Sequence, residues 1–181
     1  MSRLWIKNPL AVHAENAGGG LVVEDGRIAA LVASGEAPEH DASFDASDRV
    51  VIPGLINTHH HMYQTLTRAV PAAIDQELFD WLKTLYPVWA GLTPDMISSS
   101  SELAMAELLL SGCTTTTDHH YVFPAGHEDA IDRQVAAAER LGIRVVLTRG
   151  SMSLSVEDGG LPPATVVQDE DTIMADSARL I

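Results

Sequence analysis

Residues 50–68 of this chain read VVIPGLINTHHHMYQTLTR, and they contain its clearest structural pattern. Two short apolar, β-branched runs flank a Pro-Gly pair, and the second run leads directly into three histidines. Successive side chains of a strand point to opposite faces, so we expect His59 and His61 to project together and His60 to project the other way. Two imidazoles one strand step apart can each reach one divalent ion at about 2.0–2.1 Å. The pattern therefore predicts His59 and His61 as metal ligands.

The composition is that of a folded domain rather than a disordered chain. Hydrophobic residues make up 46% of the 181 positions, and 25 acidic against 11 basic residues give a net charge of −14. This charge repels phosphate backbones, so no nucleic-acid partner is expected. No apolar run approaches the roughly 18 residues of a membrane span, and the N-terminus lacks the apolar segment of a signal peptide. We therefore expect a cytoplasmic protein that does not bind membranes.

The chain has a single cysteine, Cys113, which excludes two kinds of cysteine-based structure. One cysteine forms no internal disulfide framework and no Cys-rich zinc site. Its place before a threonine run, at the start of a predicted strand, indicates a small buried side chain.

Residues 1–52 are predicted to form a small β module. Short apolar runs alternate with turns, and Asp25-Gly26 lies between the runs Leu21–Val23 and Ile28–Val32. An Asp-Gly pair readily adopts the positive φ angles that a two-residue hairpin requires. We therefore expect these two runs to pair as antiparallel strands.

Residues 53–181 alternate between strand-like and helix-like patterns. Pro87 is expected to end the first helix. Thr93 is expected to cap the second helix, with Pro94 as its first residue. Gly112 and Gly142 are expected to end the second and third helices. The predicted helices span 75–85, 95–111, 128–141 and 172–181, with strands over 113–118 and 143–147 between them. This alternation predicts an α/β protein with a parallel sheet. In barrels of this kind, functional residues collect at the carboxyl ends of the strands.

The segment Pro53 to His61 resembles the first barrel strand of the amidohydrolase superfamily, which reads Pro-Gly, two apolar residues, Asn or Asp, any residue, and His-x-His. Residues 59–68, 112–121 and 149–155 resemble the 8-oxoguanine deaminase branch of this superfamily. That branch is close to the hydroxyatrazine and triazine hydrolases. The resemblance implies a partial (β/α)8 TIM-type barrel preceded by part of a small β-sandwich. A complete barrel needs about 250 residues, so we expect an N-terminal fragment of a longer enzyme.

The resemblance also implies an activity. It indicates hydrolytic deamination of a purine-like ring, 8-oxoguanine to urate and ammonia, with one divalent metal ion, Zn²⁺ or Fe²⁺. The other ligands, two histidines and an aspartate, and the acid-base residues would lie beyond Ile181, so no catalytic residue besides the metal ligands is expected here. Expected partners are a small heterocyclic substrate and, at full length, further copies of the chain. The alternatives are an s-triazine amidohydrolase or chlorohydrolase and an inactive truncated fragment that serves as a binding module.

Three residues are candidates for contact with the substrate: Gln64, Trp81 and His120. Gln64 corresponds by resemblance to a glutamine that pairs with a purine edge, and its amide offers both a donor and an acceptor; it could instead face solvent. Trp81 could stack on a planar ring or pack in the core. His119 and His120 end the second strand, so one of them should point into the barrel mouth, as a substrate contact or as support.

The role of Arg149, which follows the third strand, has two interpretations. Its guanidinium could hold an anionic or carbonyl-rich ring, or it could bridge to an acidic neighbour. The second interpretation is favoured.

Overall fold

The structure, a computed structural model, describes residues 2–181. The chain divides into two compact units, one that ends at Pro53 and one that runs from Gly54 to Ile181. The strands are β1 Arg3–Lys7, β2 Ala11–Val12, β3 Gly20–Glu24, β4 Arg27–Val32, β5 Ala42–Asp45, β6 Val50–Val51, β7 Leu55–Asn57, β8 Cys113–His120 and β9 Arg144–Arg149. The α-helices are α1 Leu78–Trp89, α2 Pro94–Leu110, α3 Ala130–Leu141 and α4 Glu170–Leu180. Short 3-10 helices cover Met62–Thr67, Pro71–Ala73, Val156–Asp158 and Ala164–Val166.

The first unit contains a four-stranded sheet in the order β4-β3-β1-β5 and a separate β2-β6 pair. Strand β3 pairs antiparallel with β4 through the predicted turn. Asp25 and Gly26 have φ angles of 51° and 73° there, which confirms the predicted hairpin. The small core of this unit includes Leu21, Val22 and Val32.

The second unit contains a three-stranded sheet in the order β7-β8-β9. Both pairings are parallel, and helices lie between successive strands in the chain. The predicted α/β class and parallel sheet are therefore confirmed. The two strands that follow the histidines are longer than predicted, because β8 includes both His119 and His120 and β9 continues to Arg149.

Helix ends follow local sequence signals at two of the predicted positions. Thr93 caps α2 by accepting a hydrogen bond from the Met96 amide at 3.3 Å, with Pro94 as the first helical residue. Gly142 ends α3 in the left-handed conformation, with φ 75°. These caps confirm the predicted start of α2 and the predicted end of α3.

The prediction that Pro87 ends the first helix is wrong. Helix α1 continues through Pro87 to Trp89, and Leu85, Tyr86 and Trp89 are all buried. A proline so close to the end of a helix removes one backbone hydrogen bond, and burial of three large side chains outweighs that loss.

The Pro-Gly pair before the histidines divides the apolar run between the two units. Strand β6 belongs to the first unit, and β7 begins the second after Gly54. A Cβ atom at Gly54 would lie 2.2 Å from Thr114 Oγ1, so only glycine permits this close approach to the start of β8.

Buried apolar side chains of the second unit form two clusters. The larger includes Tyr63, Trp89, Ile97 and Phe123, and the smaller includes Met62 and Met105. Cys113 is buried, as predicted. Within residues 2–181, no helix is both long and apolar enough to cross a membrane.

Candidate metal and substrate site

His59 and His61 lie together just beyond the end of β7. Their Nε2 atoms are 3.1 Å apart, and their ring centroids are separated by 5.0 Å. Two nitrogen ligands of a tetrahedral Zn²⁺ ion, each at about 2.0–2.1 Å, would be roughly 3.3 Å apart. The spacing of the two Nε2 atoms therefore suits two ligands of one divalent ion.

The neighbouring strand orients the His61 ring. His61 Nδ1 lies 2.8 Å from the carbonyl oxygen of His119, which can only accept a hydrogen bond. The proton of a neutral His61 ring is therefore on Nδ1, and Nε2 keeps its lone pair. Hydrogen bonds of this kind fix the tautomer and ring orientation of metal-binding histidines.

Backbone contacts align the histidine segment with β8. His59 N donates to Asn57 Oδ1 at 3.1 Å, and His119 N donates to the His60 carbonyl at 2.9 Å. The segment thus continues along β8 after β7 itself has ended at Asn57. This explains why the rings of His59 and His61 share a face outside the assigned strand.

A buried carboxylate holds the residue that follows His61. Asp118 is fully buried; its Oδ1 accepts from Met62 N and its Oδ2 from Gln134 Nε2, both at 2.6 Å. Burial raises the pKa of Asp118, and the two hydrogen bonds oppose that rise. Asp118 and Gln134 therefore join the end of the histidine segment to β8 and α3.

His60 has a different environment from its two neighbours. Its Nδ1 atom is buried and has no hydrogen-bond partner within residues 2–181. Burial lowers the pKa of His60, while the nearby carboxylate of Asp118 opposes that shift. The structure does not pair the His60 ring with His59 or His61 as it pairs those two rings with each other.

A cavity of about 450 Å³ opens beside the histidines. Two of the three predicted substrate contacts, Gln64 and Trp81, line it together with His59 and His61. Trp81 also packs edge-to-face against Trp89, with ring centroids 5.3 Å apart, so it contributes both to the core and to the cavity wall. The complete lining is His59, His60, His61, Gln64, Thr65, Thr67, Arg68 and Trp81.

The structure does not bring His120 to this cavity. His120 is fully buried, its Nε2 lies 2.8 Å from the Val122 carbonyl, and its ring packs against Tyr63 and Phe123. Its neighbour His119 is the one that approaches the pair, with its ring centroid 5.1 Å from His59. Adjacent strand residues face opposite ways, so His120 shares the buried face of β8 with Asp118.

Arg149 forms a structural bridge, as the favoured interpretation predicts. Its guanidinium donates to Asp176 at 2.9 Å in a nearly buried ion pair and lies 4.3 Å above the Phe123 ring. These contacts join the end of β9 to α4.

Sequence reasoning missed Asp118, Gln134 and Tyr63. Asp118 precedes His120 by two residues on a predicted strand, and this spacing places both on one face. That signal could have identified Asp118. Its partner Met62 is 56 residues away, however, and no local pattern reveals such a contact.

Two histidine side chains are in place as candidate ligands. In the part of the chain that the structure describes, no group of three or more His, Cys, Asp or Glu side chains could hold a metal ion. The donor set nevertheless fits a metal ion, because two imidazole nitrogens converge and a carbonyl orients one of them.

Comparison with known sequences finds relatives along the whole chain. The profile of the Amidohydrolase family matches residues 50–180. The chain is 60% identical to 8-oxoguanine deaminase of Pseudomonas aeruginosa, an alignment that covers 100% of this chain and 41% of that relative. It is 41% identical to hydroxydechloroatrazine ethylaminohydrolase of Pseudomonas sp. strain ADP, over 71% of this chain and 27% of that relative. The chain thus spans less than half the length of these curated relatives.

Solved structures give the same result for the fold. A triazine hydrolase from Arthrobacter aurescens superposes with a TM-score of 0.89 at 27% identity, over 100% of this chain and 42% of that chain. An atrazine chlorohydrolase from Arthrobacter aurescens TC1, crystallised with zinc, superposes with a TM-score of 0.84 at 27% identity over the same shares.

Proposed function

The chain belongs to the amidohydrolase family, and from this premise we propose that it is part of a metal-dependent enzyme that deaminates a purine-like ring by hydrolysis. The proposed substrate is 8-oxoguanine, which with water would give urate and ammonia. Support for this substrate comes from the relative that is 60% identical to the entire chain.

One observation supports the chemistry most directly. The Nε2 atoms of His59 and His61 converge at 3.1 Å beside a cavity that is also lined by an amide and an indole. We propose that these two histidines hold the metal ion, and that the ion is zinc, since a zinc-bound neighbour shares the fold. The chemistry that such an ion supplies is activation of water at neutral pH.

The cavity residues would bind and orient the ring. The Gln64 amide can donate to a ring carbonyl and accept from a ring N–H, which matches the edge of a lactam. The Trp81 indole offers a flat apolar face for stacking. We therefore propose Gln64 and Trp81 as substrate contacts. Neither His119 nor His120 lines the cavity, and His119 instead lies beside the histidine pair, where its carbonyl orients His61.

We also propose how the two parts of the chain contribute to the whole fold. Residues 53–181 would form the first three strand-helix units of a (β/α)8 barrel, and residues 1–52 part of a β-sandwich. Support comes from the three parallel strands with intervening helices and from the similarity to the triazine hydrolase. The expected homo-oligomer stays a prediction.

An ammonia-release assay tests the proposed activity. The protein expressed from its complete reading frame would be given 8-oxoguanine, guanine and a hydroxy-triazine side by side, with metal content counted in parallel. We expect preferential turnover of 8-oxoguanine with about one metal ion per chain. Turnover of the triazine alone would favour the second candidate, an s-triazine hydrolase, which the similarity to hydroxydechloroatrazine ethylaminohydrolase supports. Absence of bound metal and of turnover would contradict both.

A further inference from the structure

Tyr63 precedes the proposed substrate contact Gln64 in the chain, and the two side chains are in contact. Its side chain is fully buried. Trp89 and His120 pack edge-to-face against its ring, each with a centroid separation of 5.2 Å, and Tyr121 does so at 5.9 Å. With three aromatic rings around it, the Tyr63 ring has no alternative orientation without repacking the core.

The Tyr63 hydroxyl contacts the Gln64 amide. Gln64 Nε2 donates to Tyr63 Oη at 3.2 Å. A phenol is neutral near pH 7, so Oη carries a proton as well as lone pairs. A phenol has one proton to donate. In this contact Oη accepts and the Gln64 amide donates, so Oε1 of Gln64 is turned away from Tyr63.

The backbone of Gln64 is held as well. Its amide N donates to the His61 carbonyl at 3.0 Å, and its carbonyl accepts from Thr67 Oγ1 at 3.2 Å. Trp89 Nε1 in turn donates to Thr67 Oγ1 at 3.1 Å. With the backbone held, the remaining freedom of this residue lies in its side-chain torsions, including the flip that exchanges the amide oxygen and nitrogen.

We propose that Tyr63 is a positioning residue that selects one orientation of the Gln64 amide, with Nε2 toward Tyr63 and Oε1 free to accept a hydrogen bond from the substrate. This inference rests on the proposed function. A free Oε1 favours rings that present an N–H donor, such as the lactam edge of an oxopurine, over rings that present only an acceptor nitrogen there. Tyr63 would thus contribute to substrate choice without touching the substrate.

Removal of a single oxygen tests the proposal. Tyr63→Phe keeps the ring and its packing, and Tyr86→Phe is the matched control. Tyr86 is also buried in the larger apolar cluster, where burial raises its pKa to about 12, but its hydroxyl has no hydrogen bond to Gln64. We expect Tyr63→Phe to lower kcat/KM for 8-oxoguanine by about three- to tenfold, which corresponds to one hydrogen bond, at unchanged metal content. The kcat/KM of Tyr86→Phe for 8-oxoguanine should stay within about twofold of the wild-type value.

A double-mutant cycle separates positioning from general damage to the core. In a Gln64→Ala background, Tyr63→Phe should have no further effect on kcat/KM, because the amide that it positions is gone. Discrimination against 2,6-diaminopurine, whose ring nitrogen at that edge is an acceptor, should shrink in Tyr63→Phe. Additive losses, or equal losses in Tyr63→Phe and Tyr86→Phe, would overturn the proposal.

A second readout does not depend on turnover. In protein labelled with [15N-amide]glutamine, the Gln64 side-chain signals are assigned by their disappearance in Gln64→Ala. We expect their exchange with water to be slowed in wild type and in Tyr86→Phe, and to accelerate in Tyr63→Phe. Equal exchange in wild type and Tyr63→Phe would refute the role of Tyr63 even if the enzyme deaminates purines. Slowed exchange in a protein that releases no ammonia from any purine would refute the proposed function instead.

Discussion

The histidines after β7 and those at the end of β8 are chemically alike, yet the structure uses them differently. His59 and His61 are two residues apart, share a face and border the cavity. His119 and His120 are adjacent and face opposite ways: the first approaches the pair, and the second is fully buried with its Nε2 on the Val122 carbonyl. The comparison shows that spacing along an extended segment, rather than residue type, decides which histidine rings lie side by side and which ring is buried in the core.

The largest effect should come from breaking the first pair. In the proposed enzyme, we expect His59→Ala and His61→Ala to lose the proposed metal ion and to lower ammonia release on the order of a thousandfold, because such an ion would contribute several kcal/mol to catalysis. His60→Ala should lose about tenfold or less, since its ring does not join the pair. Metal analysis with the ammonia assay measures both quantities. Equal losses in all three variants would contradict the assignment of ligands by strand alternation.

The next effect should come from the core histidine. His120→Ala removes a fully buried ring between Tyr63 and Phe123, so we expect the free energy of unfolding to fall by about 3–4 kcal/mol. His119→Ala removes a half-buried side chain and should cost about 1 kcal/mol or less. Urea unfolding of the two variants checks the contrast. A larger loss of stability from His119→Ala would reverse the assignment of these neighbours.

The burial of His120 also predicts a pH dependence of stability. Burial, aided by the charge of Arg149, lowers its pKa to about 4 from 6.5. Between pH 4 and pH 6.5 the unfolded state therefore binds more protons than the folded state. The contribution of His120 to stability is fully present above about pH 6.5 and is lost as the pH falls toward 4. The loss attributable to this residue is at most about 3 kcal/mol. Unfolding at several pH values should show a flatter profile for His120→Phe than for wild type, and identical slopes would rule out this contribution.

The smallest effect should come from loosening the link between the two histidine segments. Asp118→Asn replaces one of the two oxygens that accept from Met62 N and Gln134 Nε2 with an NH2 donor, so we expect a loss of stability of about 1–2 kcal/mol and binding of the proposed metal ion weakened about tenfold. The exposed Asp48 serves as the control, because Asp48→Asn alters only a surface ion pair. Unchanged metal affinity in Asp118→Asn would show that the histidine segment keeps its position without the carboxylate.

Much of the fold could be predicted because its signals are local. The Asp25-Gly26 turn, the Thr93 cap and the left-handed Gly142 each act within a few residues, and hydrophobic periodicity separates strands from helices. The end of α1 could not be predicted from Pro87, because the continuation of the helix to Trp89 depends on the burial of that side chain, which is a tertiary effect.

The site could be predicted only in part for a similar reason. The His59–His61 pair follows from a spacing of two residues, which the sequence displays. The choice between His119 and His120 depends on which face of β8 is buried, and that is set by packing against Tyr63 and Phe123. The Asp118–Met62 contact joins residues far apart in the chain, so only the assembled sheet reveals it.

The hydrogen bond from His61 to the His119 carbonyl has a consequence for the order of events during folding. It spans 58 residues, so the orientation of His61 is acquired only after β7 and β8 have paired across the loop that contains α1 and α2. Contacts of such separation form late, because loop closure must come first. On a ribosome, a nascent chain with both His59 and His61 already outside the exit tunnel would still lack the hydrogen bond that orients His61 until His119 had also emerged.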